Sequence, residues 1–246
     1  MVSFKESDIF AVSGANSGIG AAIALKLNTL GATVIGIARD EEKFRKVVEK
    51  ADNPNRFHYE IRDLTENIDG LPDFISMLSE KYGNLKGIVA NAGIQETKPL
   101  LSVKYEESSK IFDLNYFSSL FLLKGFAKKK NNAGKGSSAV VISSFVSKIG
   151  VAATSNYSAS KNAVNSLVRT LAVELARNGI RINSVLPGHI ITPLLEDKKN
   201  VSGKKFLDSI EKKYPLGLGE PDDAASITCF LLSNNAKWIT GSEIVV

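Results

Sequence analysis

Ser13-Gly14-Ala15-Asn16-Ser17-Gly18-Ile19-Gly20 is the stretch that decides how this chain reads. It follows a short apolar run, Ile9 to Val12, and opens a segment, Ile19 to Leu30, whose apolar residues recur at helical spacing and stop before Gly31. Glycines at 14, 18 and 20 let the backbone turn tightly and approach a pyrophosphate, which would rest on the N–H groups and positive dipole end of the helix. Alone, the pattern also fits an ordinary tight strand–helix turn. Its place, after a strand and at the opening of a helix, favours dinucleotide binding, with Gly14, Asn16, Ser17, Gly18, Ile19 and Gly20 as the contacts.

Outward from that loop, strand and helix signals alternate to the end. Strands are predicted at Thr33 to Ala38, Arg56 to Ile61, Gly87 to Ala90, Ala139 to Ser143, Arg181 to Leu186 and Ser242 to Val246. Helices are predicted at Glu41 to Ala51, Leu71 to Tyr82, Tyr105 to Lys130, Tyr157 to Asn178 and Asp222 to Ser233. Near-continuous apolar strands between amphipathic helices imply a parallel sheet covered on both faces. The expected fold is therefore α/β: one domain over residues 1–246, a doubly wound parallel sheet of about seven strands, of the Rossmann type. Pro193 to Gly203, polar and lysine-rich, reads as a loop within that domain.

Composition narrows the function. The 246 residues hold one cysteine and two histidines, too few soft ligands for a structural zinc site, so no metal is expected. A lone Cys229 fits a reducing compartment, and the first ten residues lack a signal-type apolar core; a soluble cytoplasmic protein is expected. Ala139 to Ala153, broken by Lys148 and Gly150, is too short to span a membrane. The net charge of +5 comes from basic runs scattered among acids, Lys128 to Lys130 and the pairs at 198, 204 and 212, without interleaved aromatics, so nucleic acid is not an expected partner.

A Tyr-x-x-x-Lys pair on one helix would stack an ammonium near a phenol and lower its pKa toward neutrality. The chain holds two: Tyr82/Lys86, which straddles the helix-ending Gly83, and Tyr157/Lys161, which opens a helix. Only the second has a serine suitably upstream, Ser144; the equivalent position for the first is Asp69. Cofactor choice rests on the end of the second strand, where an NAD-preferring site carries an acid. Here Ala38 stands there and Arg39 follows, a guanidinium fork suited to a 2′-phosphate. Arg39 could instead pair with Asp40 or Glu42, and Asp40 could cap the helix that begins at Glu41. NADP(H) is the expected cofactor and NAD(H) the second choice.

With these motifs in order, the chain resembles the short-chain dehydrogenase/reductase family in its roughly 250-residue form, from Ile9 to Val246. The resemblance adds Asp63-Leu64 after the third strand, Asn91-Ala92-Gly93 after the fourth, Asn115, Ile142-Ser143-Ser144, Tyr157-Ser158-Ala159-Ser160-Lys161 and Pro187-Gly188. It implies that Tyr157 is the acid/base, that Lys161 lowers its pKa and binds the nicotinamide ribose, and that Ser144 rather than Ser143 holds the substrate oxygen. It implies that Asn115 kinks its helix and holds a water toward Lys161. By the same resemblance Asp63 binds the adenine amino group, with a helix N-cap as its alternative, and Leu64, Asn91, Ala92 and Gly93 line the adenosine. Pro187, Gly188, Ile190 and Thr192 would seat the carboxamide, and Gln95, Glu96, Val146, His189 and Leu194 the substrate, with Lys148 at a position that varies with substrate.

The implied activity is interconversion of a small-molecule ketone and secondary alcohol. The nearest flavour is 3-oxoacyl-(acyl-carrier-protein) reductase, with acyl carrier protein as an alternative partner; Lys128 to Lys130 could attract it, but Val173 stands where those reductases tend to have a basic residue. A cofactor-sensing scaffold on the same fold is the alternative of another class. The family also implies a homodimer or homotetramer through the helices bearing Phe112, Tyr116, Leu120, Leu123 and Ala127, and Val164, Leu167, Val168, Leu171 and Leu175. The family's Asp-Gly-Gly tail is missing from the given sequence, which ends at Val246; either the chain continues or its C-terminal subunit contacts are reduced.

Overall fold

The computed structural model describes residues 1–192 and 214–246. The loop expected at Pro193 to Gly203, Leu194 within it and the lysine pairs at 198, 204 and 212 lie outside the described residues.

Strands β1 (Ile9–Ser13), β2 (Thr33–Ala38), β3 (Phe57–Ile61), β4 (Leu85–Ala90), β5 (Ser138–Ile142), β6 (Arg181–Leu186) and β7 (Glu243–Val245) form one sheet in the order β3-β2-β1-β4-β5-β6-β7. Every pairing is parallel. The helices are α1 (Gly18–Thr29), α2 (Glu41–Val48), α3 (Leu71–Tyr82), α4 (Tyr105–Phe112), α5 (Ser118–Ala127), α6 (Ser155–Ala176) and α7 (Pro221–Leu232).

Alternate side chains of each strand enter opposite cores. Val12, Val34 and Val140 pack with Ile23 and Leu27 of α1, Phe44 of α2 and Leu232 of α7. Ala11, Ile35 and Val141 pack with Ile75 of α3, Phe126 of α5 and Val168 of α6. Both faces are dry, which is why β1, β5 and β6 are buried along their whole length and read as continuous apolar runs. The strand order reverses between β1 and β4, and that switch point opens the crevice where ligands bind on such a sheet.

Local chemistry sets the ends that matter. Asp40 caps α2 by accepting from the Lys43 N–H at 3.0 Å. Phe44 of α2 lies so close to β2 that a Cβ on Gly36 would fall 1.9 Å from its ring, which fixes the helix over the strand and holds Arg39 at the crevice. Gly83, at φ +109°, ends α3 and separates Tyr82 from Lys86, which lies on β4, so that pair shares no helix face.

The long helix expected from Tyr105 to Lys130 runs to Ala127 and contains one wider turn, at the Asn115 that the resemblance gave as its kink. A π turn at Asp113–Phe117 separates α4 from α5, with Asn115 buried at its centre. The apolar periodicity alone is blind to this turn, because it is kept on either side; only the resemblance pointed to Asn115. The expected subunit surface is also smaller than the sequence suggested: Leu123, Val164, Val168 and Leu175 are buried within the single chain, whereas Phe117 and Val173 are exposed. Among the described residues no helix is long and apolar enough to cross a membrane.

Candidate active site

The Ser13 hydroxyl joins the two strands of the switch point. It accepts from the N–H groups of Asn91 and Ala92 at 2.9 and 3.1 Å, and the Asn91 amide donates to Ser13 O at 3.0 Å. Against this seam lies the glycine loop. Gly14 and Gly18 have φ of +66° and +53°, and a Cβ on Gly20 would fall 2.2 Å from Gly14 O. The loop therefore leaves a floor of backbone at the start of α1 that no larger residue could provide, and the helix end supplies N–H groups to a pyrophosphate. A dinucleotide fits this cradle.

One cleft of about 940 Å³ runs along the carboxyl ends of the strands. It brings together Gly14, Asn16, Ser17, Gly18, Ile19 and Gly20 with Arg39, Leu64, Asn91, Ala92 and Gly93. Ser144, Tyr157, Lys161, Pro187, Gly188, Ile190 and Thr192 line the same cleft, as do Gln95, Val146 and His189. Three expected residues are placed differently. Glu96 is outside the lining and faces Asn156, whose amide donates to it at 3.5 Å. Lys148 turns away to pair with Glu243 on β7. The Asp63 carboxylate accepts from the Thr65 N–H and hydroxyl at 2.8 and 2.7 Å and from Arg39 at 3.1 Å. It caps no helix. Arg39 likewise pairs with Asp63 rather than with Asp40 or Glu42. Burial works against charge on Asp63, but the Thr65 and Arg39 hydrogen bonds hold its carboxyl below the usual range.

Lys43 and Arg62 also line the cleft and were not foreseen. Lys43, in the first turn of α2, pairs with Asp40 at 3.5 Å; Arg62 follows β3 and donates to Glu66 O at 2.7 Å. The signal was available, since both are basic residues just past the ends of β2 and β3, but their direction was not.

Ser144 ends the run after β5. Its hydroxyl accepts from the Val146 N–H at 3.5 Å, and Ser144 lines the cleft together with Tyr157. Ser143 points elsewhere, donating to Lys161 O at 2.9 Å. Lys161 is 5% exposed, donates to Ile142 O at 2.8 Å, and lies 5.9 Å from the centre of the Tyr157 ring. Burial lowers its ammonium to about 8. The phenol does not show the expected lowering: burial pushes it up, with the nearby Ser144 hydroxyl opposing. Neutral surroundings penalise the phenolate more than an ammonium already committed to a carbonyl relieves it.

Asn115 places the remaining backbone. Its Oδ1 accepts from the Ile94 N–H at 2.9 Å, and its Nδ2 donates to Ile94 O at 3.0 Å and to the Ser160 hydroxyl at 3.0 Å. The π turn thus ties the loop after β4 to α6. Gly93 packs closely there, since a Cβ would sit 3.0 Å from Asn115 Oδ1 and 3.3 Å from Lys161 Nζ. His189 packs on Phe145 with ring centres 5.2 Å apart, and its Nδ1 is 2.7 Å from the Tyr214 hydroxyl.

A dinucleotide cradle, a buried lysine and a serine and a tyrosine lining one cleft define the class: an oxidoreductase of the doubly wound fold. The comparisons place it. Residues 14–246 match the family model described as enoyl-(acyl carrier protein) reductase. The 3-oxoacyl-(acyl-carrier-protein) reductase of Rickettsia prowazekii is 34% identical over 236 residues, covering 96% of this chain and 93% of that one. The L-rhamnose 1-dehydrogenase (NAD(P)(+)) of Sphingomonas sp. strain SKA58 is 30% identical over 237 residues, covering 96% and 92%. A short-chain glucose/ribitol dehydrogenase structure from Brucella melitensis superposes with TM-score 0.91 at 28% identity, over 100% of this chain and 97% of that one. The chain belongs to the short-chain dehydrogenase/reductase family and is an NAD(P)-dependent enzyme acting on CH–OH groups.

Proposed function

We propose that the protein reduces a ketone to a secondary alcohol, and reverses that reaction, with NADP(H) as its preferred cofactor and Tyr157 as the acid/base. The observation that carries this reading is that Ser144, Tyr157 and the buried Lys161, whose Nζ lies 5.9 Å from the Tyr157 ring centre, line the same cleft as the glycine loop. The glycine loop, Arg39 and Lys161 would hold the dinucleotide, whose nicotinamide supplies or accepts the hydride. Ser144 donates to the substrate oxygen, a bond that strengthens as negative charge develops there. Tyr157 delivers its proton to that oxygen in reduction and takes it back in oxidation. Its raised pKa keeps it a proton donor through the neutral range. The Lys161 ammonium holds the ribose side of the cleft and stabilises the phenolate left behind.

The relatives act on sugars and on carrier-bound acyl groups. Reduction of a 3-oxoacyl group on acyl carrier protein is the second reading, favoured by the Rickettsia relative. Against it, Lys128 and Lys130 are already paired with Asp73 and Glu80, and Val173 is 79% exposed where a basic docking residue would be needed. The test is a panel of ethyl acetoacetate, acetoacetyl-CoA, a 3-oxoacyl carrier protein and L-rhamnose, with NADPH or NADH for the ketones and NADP+ or NAD+ for the sugar, followed by nicotinamide absorbance. Turnover of the small ketone supports the leading reading; turnover confined to the carrier-bound substrate supports the second; no turnover of any overturns both.

A further inference from the structure

Behind the turn that bears Ser144 lies a carboxylate with no part in the chemistry above. Glu243, on β7, has a side chain only 10% exposed and pairs with two cations, Lys148 and Arg169. The two come from different places. Lys148 closes the short turn that begins at Ser144: the Ser147 hydroxyl donates to Ser144 O at 2.6 Å and the Lys148 N–H to Phe145 O at 2.9 Å. Arg169 belongs to α6, the helix that carries Tyr157 and Lys161.

We infer that Glu243 is a positioning residue, the clamp that fixes the Ser144 turn against the Tyr157 helix, and so sets how the two hydroxyls meet the substrate oxygen. The clamp works with one other tie between the same elements, Asn165 of α6 donating to the Ser147 hydroxyl at 2.8 Å. Its own base is firm: Glu243 is in register with Ser184 of β6, and Val246 O accepts from the Gly188 N–H at 2.7 Å. Lys148 and Arg169 are each about half exposed, and a pair between two such surface groups would matter little. A largely buried carboxylate that both cations share is different, because neutralising it removes both ion pairs at once from elements that must stay in register. Small displacements of catalytic groups reduce turnover steeply.

The inference rests on Ser144 and Tyr157 acting as proposed, and its test separates the two. Glu243→Gln, Lys148→Met, the double variant and Lys148→Arg are compared with wild type on the fastest-reduced ketone of the panel. Active sites are counted by NADPH fluorescence on binding, and Ser144→Ala serves as the control. The expected result is a kcat per active site about three- to tenfold lower in Glu243→Gln and in Lys148→Met. The double variant should be no worse than the lower single, Lys148→Arg should retain wild-type kcat, and KM for NADPH should shift less than twofold. Unchanged kcat per site in Glu243→Gln or Lys148→Met, even with a lower Tm, overturns the clamp while leaving the active site in place. Full activity of Ser144→Ala, or no turnover by the wild type, overturns the active-site reading and the clamp with it.

Discussion

Arg39 donates to Asp63 across 3.1 Å, joining the end of β2 to the turn after β3 at the adenosine end of the cleft. The guanidinium is thus already oriented by a carboxylate, with Lys43 lining the same wall. A 2′-phosphate arriving there meets two cations, Arg39 and Lys43, each beside an acid, Asp63 and Asp40, whereas a bare ribose hydroxyl finds no acid at Ala38 to accept from it. A charge-assisted contact to phosphate contributes about 1.5–3 kcal/mol, roughly ten- to a hundredfold in preference. We expect NADPH over NADH by at least tenfold in kcat/KM, and loss of most of that margin in Arg39→Ala. Combining that change with Ala38→Asp should reverse the preference. Equal kcat/KM for both cofactors in the wild type would refute the assignment.

Tyr157→Phe removes the proton donor and leaves the ring. Reductive turnover should fall by about three orders of magnitude or more with the melting temperature unchanged, since acid catalysis and orientation are lost together. Retention of more than about a tenth of the wild-type rate in single-turnover assays would assign the proton elsewhere.

The Lys161 ammonium, depressed to about 8 by burial, is charged below that pH and neutral above it. Its charged form is the one that holds ribose hydroxyls as a donor and favours the phenolate. In the cofactor-free enzyme, NADPH affinity should therefore weaken as pH rises from about 7 through about 8, above the range in which the 2′-phosphate itself titrates. Fluorescence titrations across that range check this, and Lys161→Met should bind weakly at every pH. An affinity that stays constant up to pH 10 would show that the charge on Lys161 is not used.

Gly20→Ala tests the cradle. Its Cβ would fall 2.2 Å from Gly14 O and 2.4 Å from Asn91 Nδ2, so backbone must move. We expect dinucleotide affinity to drop at least tenfold by calorimetry, with a smaller loss of thermal stability. Wild-type affinity in this variant would mean that the pyrophosphate lies away from the loop.

Assembly follows from what one chain leaves uncovered. Phe117 and Val173 remain exposed on the helices that the family pairs between subunits, and Phe112, Leu120, Leu167 and Leu171 are only partly buried. A dimer or tetramer by light scattering at micromolar concentration is the expected state, and Val173→Asp should shift it toward monomer. A monomeric wild type would contradict this.

By itself the sequence determined the strand–helix alternation, the glycine turn at residues 13–20 and the choice of Tyr157/Lys161 over Tyr82/Lys86. Those rest on short-range physics: periodicity, φ-permissive glycines, and Gly83 ending a helix before its tyrosine could meet the lysine. Folding decided what depends on side-chain direction and on partners distant in the chain. Asp63 and Arg39 are brought together only because β3 lies beside β2. The π turn at Asn115 is set by the Ile94 backbone it satisfies, which local spacing does not encode. The phenol's raised pKa comes from burial in the assembled cleft, and Lys148 left the substrate for Glu243 because the last strand supplies a buried carboxylate there. A sequence specifies which groups are present and their local geometry; desolvation and charge pairing between remote segments exist only once the sheet has closed.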